Sequence, residues 1–297
     1  MEATVLMPVL NGAPHLEAQL DSLARQSLPP GRLIVSDDGS RDDSGAILRR
    51  FAQKAPFEVR LSDGPRRGYA ANVMALLDAA PDGPVAFCDQ DDIWLPDRIE
   101  RGMGAVARLN QPGLHVVARR PFGRTGARRD RRAQAGERPF ATALVQNLAP
   151  ANATLLNPAA AAVMRDGAAR LSALPAFPDW WVYGVVTGME GTVVHDAAPG
   201  ILYRTHGGNV LGTARSLSGV RRRIGYLCDG TFGDWLRQNT RALLEVAELL
   251  TPPAQERLHR FSAALEAGRG RDWLALSDRR GACEKMLLKL ASGLGLI

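Results

Sequence analysis

The first 110 residues alternate short apolar runs with stretches whose apolar positions recur every three or four residues. Thr4-Val5-Leu6-Met7-Pro8-Val9 predicts a strand, and Leu16, Leu20, Leu23 and Leu28 then mark one face of a helix. Leu33–Ser36 reads as a second strand, followed by a helix through Ile47, Leu48 and Phe51. Phe57–Leu61 gives a third strand, Tyr69–Ala80 a third helix, Val85–Cys88 a fourth strand, and a helix follows from about Pro96 to Leu109. Strands alternating with helices at this spacing make right-handed crossovers, so the expected fold is α/β, a parallel sheet covered by helices on both faces.

Beyond residue 110 the pattern changes. Leu114–Ala118 is a candidate fifth strand, but residues 119–139 lose periodicity and fill with Arg, Gly and Ala, which predicts a loop and a candidate lid. Order returns at Ala153-Thr154-Leu155-Leu156-Asn157, followed by a helix from Pro158 to about Leu171, the Trp-rich Phe177–Tyr183, and strand candidates at Gly191–His195 and Ile201–Tyr203. After Ser216 the pattern is helical: Leu236–Leu250, Ala254–Leu265 and Asp272–Leu290, with Thr251-Pro252-Pro253 as a break. The expected organisation is a domain over 1–215, with halves of about 1–110 and 111–215, and a C-terminal helical extension over 216–297.

Candidate chemistry sits where two strands end. Phe87-Cys88-Asp89-Gln90-Asp91-Asp92-Ile93-Trp94 places three carboxylates in four residues after an apolar run. Such crowding is repulsive unless a cation sits among the acids, so the segment reads either as a divalent metal site or as an N-cap for the helix after Pro96. A second acid pair, Asp37-Asp38, follows Leu33–Ser36. Ligands of open α/β sheets bind beyond the carboxyl ends of strands, and both acid groups fall at that edge of one expected crevice.

Composition narrows the partners. The 297 residues are 45% hydrophobic, enough for a sizeable core. No run approaches the ~20 apolar residues that cross a bilayer, and the N-terminus enters a strand pattern without a leader-like segment, which favours the cytoplasm. Cys88, Cys228 and Cys283 show no C-x-x-C spacing and fit a reduced compartment. The net charge of +6 is carried by Arg, since Lys occurs only at 54, 285 and 289. Arginines cluster at 119, 120, 124, 128, 129, 131, 132 and 138 and again at 221–223, but no aromatics are interleaved for base stacking, so nucleic acid is not an expected partner. The C-terminal Met286–Ile297 segment reads as a helix that either lies on a membrane surface at the inner face of the cytoplasmic membrane, or docks on the core or dimerises.

The segments Val5-Leu6-Met7-Pro8-Val9-Leu10-Asn11-Gly12, Ser36-Asp37-Asp38-Gly39-Ser40 and Asp89-Gln90-Asp91-Asp92-Ile93-Trp94-Leu95-Pro96 resemble those of family 2 inverting glycosyltransferases with a GT-A fold. Asp179-Trp180-Trp181 and Leu202-Tyr203-Arg204-Thr205-His206-Gly207-Gly208-Asn209 resemble later motifs of its bacterial rhamnosyltransferase-like members, so the likeness runs in family order over 4–212. It implies a GT-A type, mostly parallel sheet, with the nucleotide-sugar half at 1–110 and the acceptor half at 111–215. The implied partners are a nucleotide-diphosphate sugar, of the UDP or dTDP type, and a saccharide or lipid-linked acceptor. The implied cofactor is Mn²⁺ or Mg²⁺, held by Asp91 with Asp89 and His206, since both ions prefer oxygen ligands.

The resemblance also distributes roles. Pro8, Asn11, Asp37, Asp38, Arg67, Gly68, Asn72, Asp89, Gln90, Arg204 and His206 fall on the nucleotide-sugar side, with Asp37 or Asp38 toward a pyrimidine base or ribose. Asp179 is the candidate base that takes the acceptor's proton, an N-cap being the alternative, and Pro178 stands where related sequences often carry His. Asn147, Trp180 and Trp181 fall on the acceptor side. Two other functions remain open: a nucleotidyltransferase, against which the loop Asn11-Gly12-Ala13-Pro14 lacks a Lys-bearing phosphate loop, and a non-catalytic nucleotide- or glycan-binding subunit.

Overall fold

A computed structural model describes residues 1–123, 140–205, 217–279 and 282–293. Its strands are β1 (Thr4–Val9), β2 (Arg32–Asp37), β3 (Glu58–Asp63), β4 (Val85–Phe87), β5 (Ile93–Trp94), β6 (Gly113–Gly123), β7 (Thr154–Leu156) and β8 (Thr192–Thr205). Its helices are α1 (Ala13–Ala24), α2 (Ser44–Ala52), α3 (Tyr69–Asp78), α4 (Arg98–Val106), α5 (Phe140–Ala143), α6 (Pro158–Ala168), α7 (Pro178–Gly188), α8 (Leu217–Cys228), α9 (Thr231–Leu244), α10 (Pro252–Glu266), α11 (Gly270–Leu276) and α12 (Ala282–Gly293).

The strands form one sheet in the order β3-β2-β1-β4-β7-β6-β8-β5. β1 lies parallel to β2 and to β4, and β2 parallel to β3, as the crossover pattern expects. The far side runs differently: β7 is antiparallel to both β4 and β6, and β5 is antiparallel to β8. Every residue of β1 is buried, which is why it reads as a continuous apolar run. β3 is one edge, where Glu58 pairs with Arg32 and Arg60, each at 2.6 Å; charge there discourages pairing with another chain.

Pro8 in a central strand needs a reason, because it has no N–H to donate. Its β4 neighbour ends at the partner of Leu6, and the Cys88 N–H closes that ladder on the Leu6 carbonyl at 2.9 Å. Two residues further on, Pro8 faces the space beyond β4 and leaves no hydrogen bond unmade. It is buried in the strand and shapes the strand end.

Several element boundaries differ from expectation. α1 stops at Ala24, and Leu28 lies exposed before Pro29-Pro30, off the helix face assigned to it. The fifth strand continues past Ala118 to Gly123, and the two late strand candidates are one strand, β8, with Pro199-Gly200 inside it. Gly200 is required there, since a Cβ would meet Val117 at 2.8 Å. Asp272–Leu290 divides into α11 and α12. The short elements β5 and α5 have no periodic signature. Residues 124–139 of the candidate lid lie outside the described residues.

The chain divides into two compact units. The first comprises 1–137, 149–169 and 191–204 and holds the sheet; the second comprises 138–148, 170–190 and 205–297. The C-terminal helices therefore pack with α7, an association that the boundary at 215/216 does not anticipate. Thr251, the N-cap of α10, donates its N–H to the Gly188 carbonyl at 2.9 Å.

Candidate functional site

In the first unit, the loops after β1, β2, β3 and β4 are stitched into one rim. The Leu10 N–H donates to Gln90 Oε1 at 2.9 Å, and Gln90 Nε2 donates back to the Leu10 carbonyl at 3.1 Å. Asn11, in the left-handed region at φ 49°, donates its N–H to Ser40 Oγ at 2.8 Å and accepts the Arg41 N–H on Oδ1 at 2.9 Å. Asp38 is buried and accepts the N–H groups of Arg66 and Gly68 at 2.6 and 2.8 Å, so it fixes the loop before α3. Asp37 Oδ1 accepts from Gly39 and Ser40 at 3.1 and 2.8 Å, an Asx-type turn.

Asp38 and Asn72 both make hydrogen bonds within the rim. Both oxygens of Asp38 serve the protein's own backbone, and Asn72 is buried with Nδ2 donating to the Ser36 carbonyl at 2.9 Å. They brace the rim from behind. Gly68 starts α3 at φ 86°, a conformation L side chains avoid. Asp37 and Asp89 remain half-buried and Arg67 exposed at the same rim.

Asp89, Asp91 and Asp92 can each bring one oxygen to within 4.8 Å of the others. An all-oxygen, anionic donor set fits a hard divalent cation such as Mg²⁺ or Mn²⁺ and suits thiophilic ions poorly. Asp89 and Asp91 are half-buried, whereas Asp92 is fully buried. Burial first, and then the neighbouring Asp91 charge, push the Asp92 carboxyl up to about 7. Its oxygens accept the Arg204 N–H at 3.0 Å and Asn152 Nδ2 at 2.5 Å. Arg204 Nε donates to the Asp91 carbonyl at 2.8 Å, and its guanidinium lies 4.5 Å from the Phe122 ring centre. The described contacts of Arg204 thus hold the acid loop. His206 lies outside the described residues.

Beneath this loop, the buried Arg98 guanidinium stacks 3.4 Å from the Trp94 ring centre and donates Nη2 to the Asn152 carbonyl. Burial lowers its pKa to about 9, with the nearby acids opposing that shift. Burial likewise raises the Tyr203 phenol to about 12. Sequence reasoning gave no role to Asn152 or Arg98, and read Asp92 only as one acid of the cluster. A lone Asn carries no signal by itself, but Arg98 in the apolar phase of α4, beside Ile99 and Val106, is a readable anomaly.

In the second unit, Asp179 occupies the first turn of α7, half-buried, with Oδ1 accepting the Trp180 N–H at 2.9 Å. Asn147 is half-buried in the same unit. Trp180 and Trp181 are core residues, which corrects their acceptor-side assignment. Their indole N–H groups donate to the carbonyls of Ala143 and Ala242 at 2.5 and 3.2 Å. Trp180 also packs with Phe177 and Phe232, and Trp235 joins them edge-on at 4.9 Å from Phe177.

The Glycosyl transferase family 2 profile matches residues 4–171, more than half of the chain. The chain belongs to glycosyl transferase family 2. A dTDP-rhamnosyl transferase, RfbG of Shigella flexneri, is 24% identical over 233 residues, 74% of this chain and 78% of that protein. An uncharacterized glycosyltransferase of Nostoc sp., alr2836, is 28% identical over 101 residues, 34% of this chain, and the chain spans only 31% of that relative's length. Among solved structures, the mannosyltransferase PcManGT of Pyrobaculum calidifontis, in complex with GDP-Man and Mn²⁺, aligns with a TM-score of 0.52 at 18% identity, covering 99% of this chain and 86% of that one. That likeness establishes the GT-A fold for this family 2 transferase. No helix among the described residues is long and apolar enough to cross a membrane.

Proposed function

We propose that this family 2 glycosyltransferase is metal-dependent and inverting, moving a sugar from a nucleotide-diphosphate donor to a saccharide or lipid-linked acceptor in surface-polysaccharide assembly. The carrying observation is the placement of Asp89 and Asp91, half-buried on the loop after β4, within a rim of hydrogen-bonded strand-end loops. Asp89 and Asp91 would hold Mn²⁺ or Mg²⁺, which when bound offsets the charge growing on a departing diphosphate. Similarity to a dTDP-rhamnosyl transferase supports a dTDP- or UDP-sugar, dTDP-rhamnose among them.

Asp37 accepts from the base or ribose through the carboxylate oxygen not engaged in its own turn, and Arg67, exposed on the loop that Asp38 fixes, takes phosphate. Asp179 takes the proton from the acceptor hydroxyl. That oxygen forms the new bond to the anomeric carbon as the bond to the diphosphate oxygen breaks, and the diphosphate leaves with the electron pair. A single displacement of this kind inverts the centre and passes through no covalent enzyme intermediate.

Thermal unfolding with UDP, dTDP, GDP, ADP and CMP, each with and without Mn²⁺, tests the donor side. One pyrimidine diphosphate at a hundredfold excess over its dissociation constant should add about 2.7 kcal/mol. The gain should require both metal and Asp91, vanishing in Asp91→Asn. A flat response to every nucleotide removes the reading, and stabilisation without product formation favours the binding subunit.

Peripheral membrane contact is proposed for the second unit. Ile224, Met286 and Leu290 are 40%, 57% and 55% exposed on α8 and α12, which pack together and also expose Arg221, Arg222 and Lys289. Exposed basic and apolar side chains on two neighbouring helices suit anionic lipid. Equal co-sedimentation of native protein and Met286→Ser/Leu290→Ser with phosphatidylglycerol liposomes sinks this contact.

A further inference from the structure

Asp92 is the acid of the cluster for which the proposed chemistry has no task, and it is also the one that is fully buried. Its Oδ1 accepts the Arg204 N–H at 3.0 Å and its Oδ2 accepts Asn152 Nδ2 at 2.5 Å. Arg204 reaches back, through Nε, to the carbonyl of the adjacent Asp91 at 2.8 Å. Asn152, also buried, is held in turn: its carbonyl accepts Arg98 Nη2 and its Oδ1 accepts Arg119 Nη1 at 3.3 Å. Four elements thus converge on the acid loop within the first unit: β8 through Arg204, the turn at Ala151–Ala153 through Asn152, α4 through Arg98 and β6 through Arg119.

A carboxylate offers about four lone-pair directions, so one hydrogen bond per oxygen does not by itself prevent ligation. Burial decides the matter. Asp92 has no exposed surface, while Asp89 and Asp91 are half-open to solvent. The two N–H donors also fix its orientation, and a buried carboxylate that lost either of them would be left partly unsatisfied.

Resting on the metal-dependent reading above, we infer that Asp92 is a positioning residue and not a metal ligand. Asn152 and the Arg204 backbone clamp Asp92, and the clamp sets how Asp89 and Asp91 present their carboxylates. Outer groups that orient ligands commonly matter 10- to 100-fold to metal affinity.

The test exploits an exchange of the two side chains. In Asp92→Asn/Asn152→Asp, the amide oxygen at 92 still accepts the Arg204 N–H, and the amide nitrogen at 92 donates to the carboxylate at 152, so the hydrogen bonds survive while the carboxylate leaves position 92. Mn²⁺ alone is the probe, its free concentration read by electron paramagnetic resonance in titrations of the full chain. Asp91→Asn should abolish tight binding. Asn152→Ala should weaken it about 10-fold or more, and the exchange should restore it toward the native value. An exchange variant as weak as Asp91→Asn makes Asp92 a ligand and overturns the inference.

A second readout needs no metal. In metal-free thermal unfolding, each single change at 92 or 152 should lower Tm, and the exchange should recover most of the loss, the mark of coupled residues. Additive losses overturn the clamp. Native protein that takes up no Mn²⁺ refutes the metal reading and the ligand half of the inference with it, and the metal-free cycle then decides the clamp separately.

Discussion

Two segments of this chain, Asp89–Trp94 and Asp179–Trp181, pair acids with tryptophan but are built in opposite ways. The first is a strand-end loop. Its acids sit beyond the sheet while Trp94 is buried behind them under Arg98, so the aromatic ring supports the acids and stays out of their way. The second is the opening turn of an almost wholly buried helix, where one oxygen of Asp179 serves the local backbone and both indoles knit α7 to its neighbours. The loop leaves Asp89 and Asp91 half-open to solvent, whereas a helix start gives a carboxylate a structural task as well.

The largest test of that contrast is Asp179→Asn. An amide at this position still accepts the Trp180 N–H, so the fold and nucleotide-induced stabilisation should persist, while kcat falls about 10²- to 10⁴-fold, the usual worth of a general base. An unchanged kcat would leave Asp179 a structural residue only. Trp181→Ala comes next: removing a fully buried indole should destabilise by about 3–5 kcal/mol in denaturant unfolding. A loss below about 1 kcal/mol would contradict its place in the core.

Acid should act on the sheet-bearing unit through His115. This imidazole is buried 3.5 Å from Asp196, and burial lowers its pKa to about 4 despite that carboxylate. A depressed folded-state value means that the unfolded chain binds the proton first. The contribution of neutral His115 is therefore present above pH 6.5 and lost as pH falls toward 4. Unfolding free energies measured across that window should slope less in His115→Gln than in native protein. The smallest effect is Gly68→Ala: no atom lies within 4 Å of the new methyl group, so only the backbone, at φ 86° and ψ 176°, is strained, at about 1–3 kcal/mol.

The parallel half of the sheet was legible because β1, β2 and β4 are buried runs separated by helical periodicity. In the antiparallel half β6 and β8 were legible as strand candidates, but their direction was not, and β5 with two residues and β7 with three are too short to show any period. At the site, acids at strand ends marked the rim correctly, yet sequence could not separate residues that meet a ligand from those that brace the rim. Asp37 and Asp38 are neighbours of one type, and only the loop before α3 makes the second a brace. Asn152, sixty positions from Asp92, has no local pattern linking the two. The tryptophans of α7 misled because an aromatic ring suits a sugar surface and a core equally well.

The reciprocal pair of hydrogen bonds between Leu10 and Gln90, together with those joining Asn11 to Ser40 and Arg41, has a consequence for recombination among relatives. The strand-end loops act as a cassette. Exchanging one of them alone breaks bonds that its neighbours supply, so residues 10–12, 37–44, 64–68 and 89–92 are best moved together.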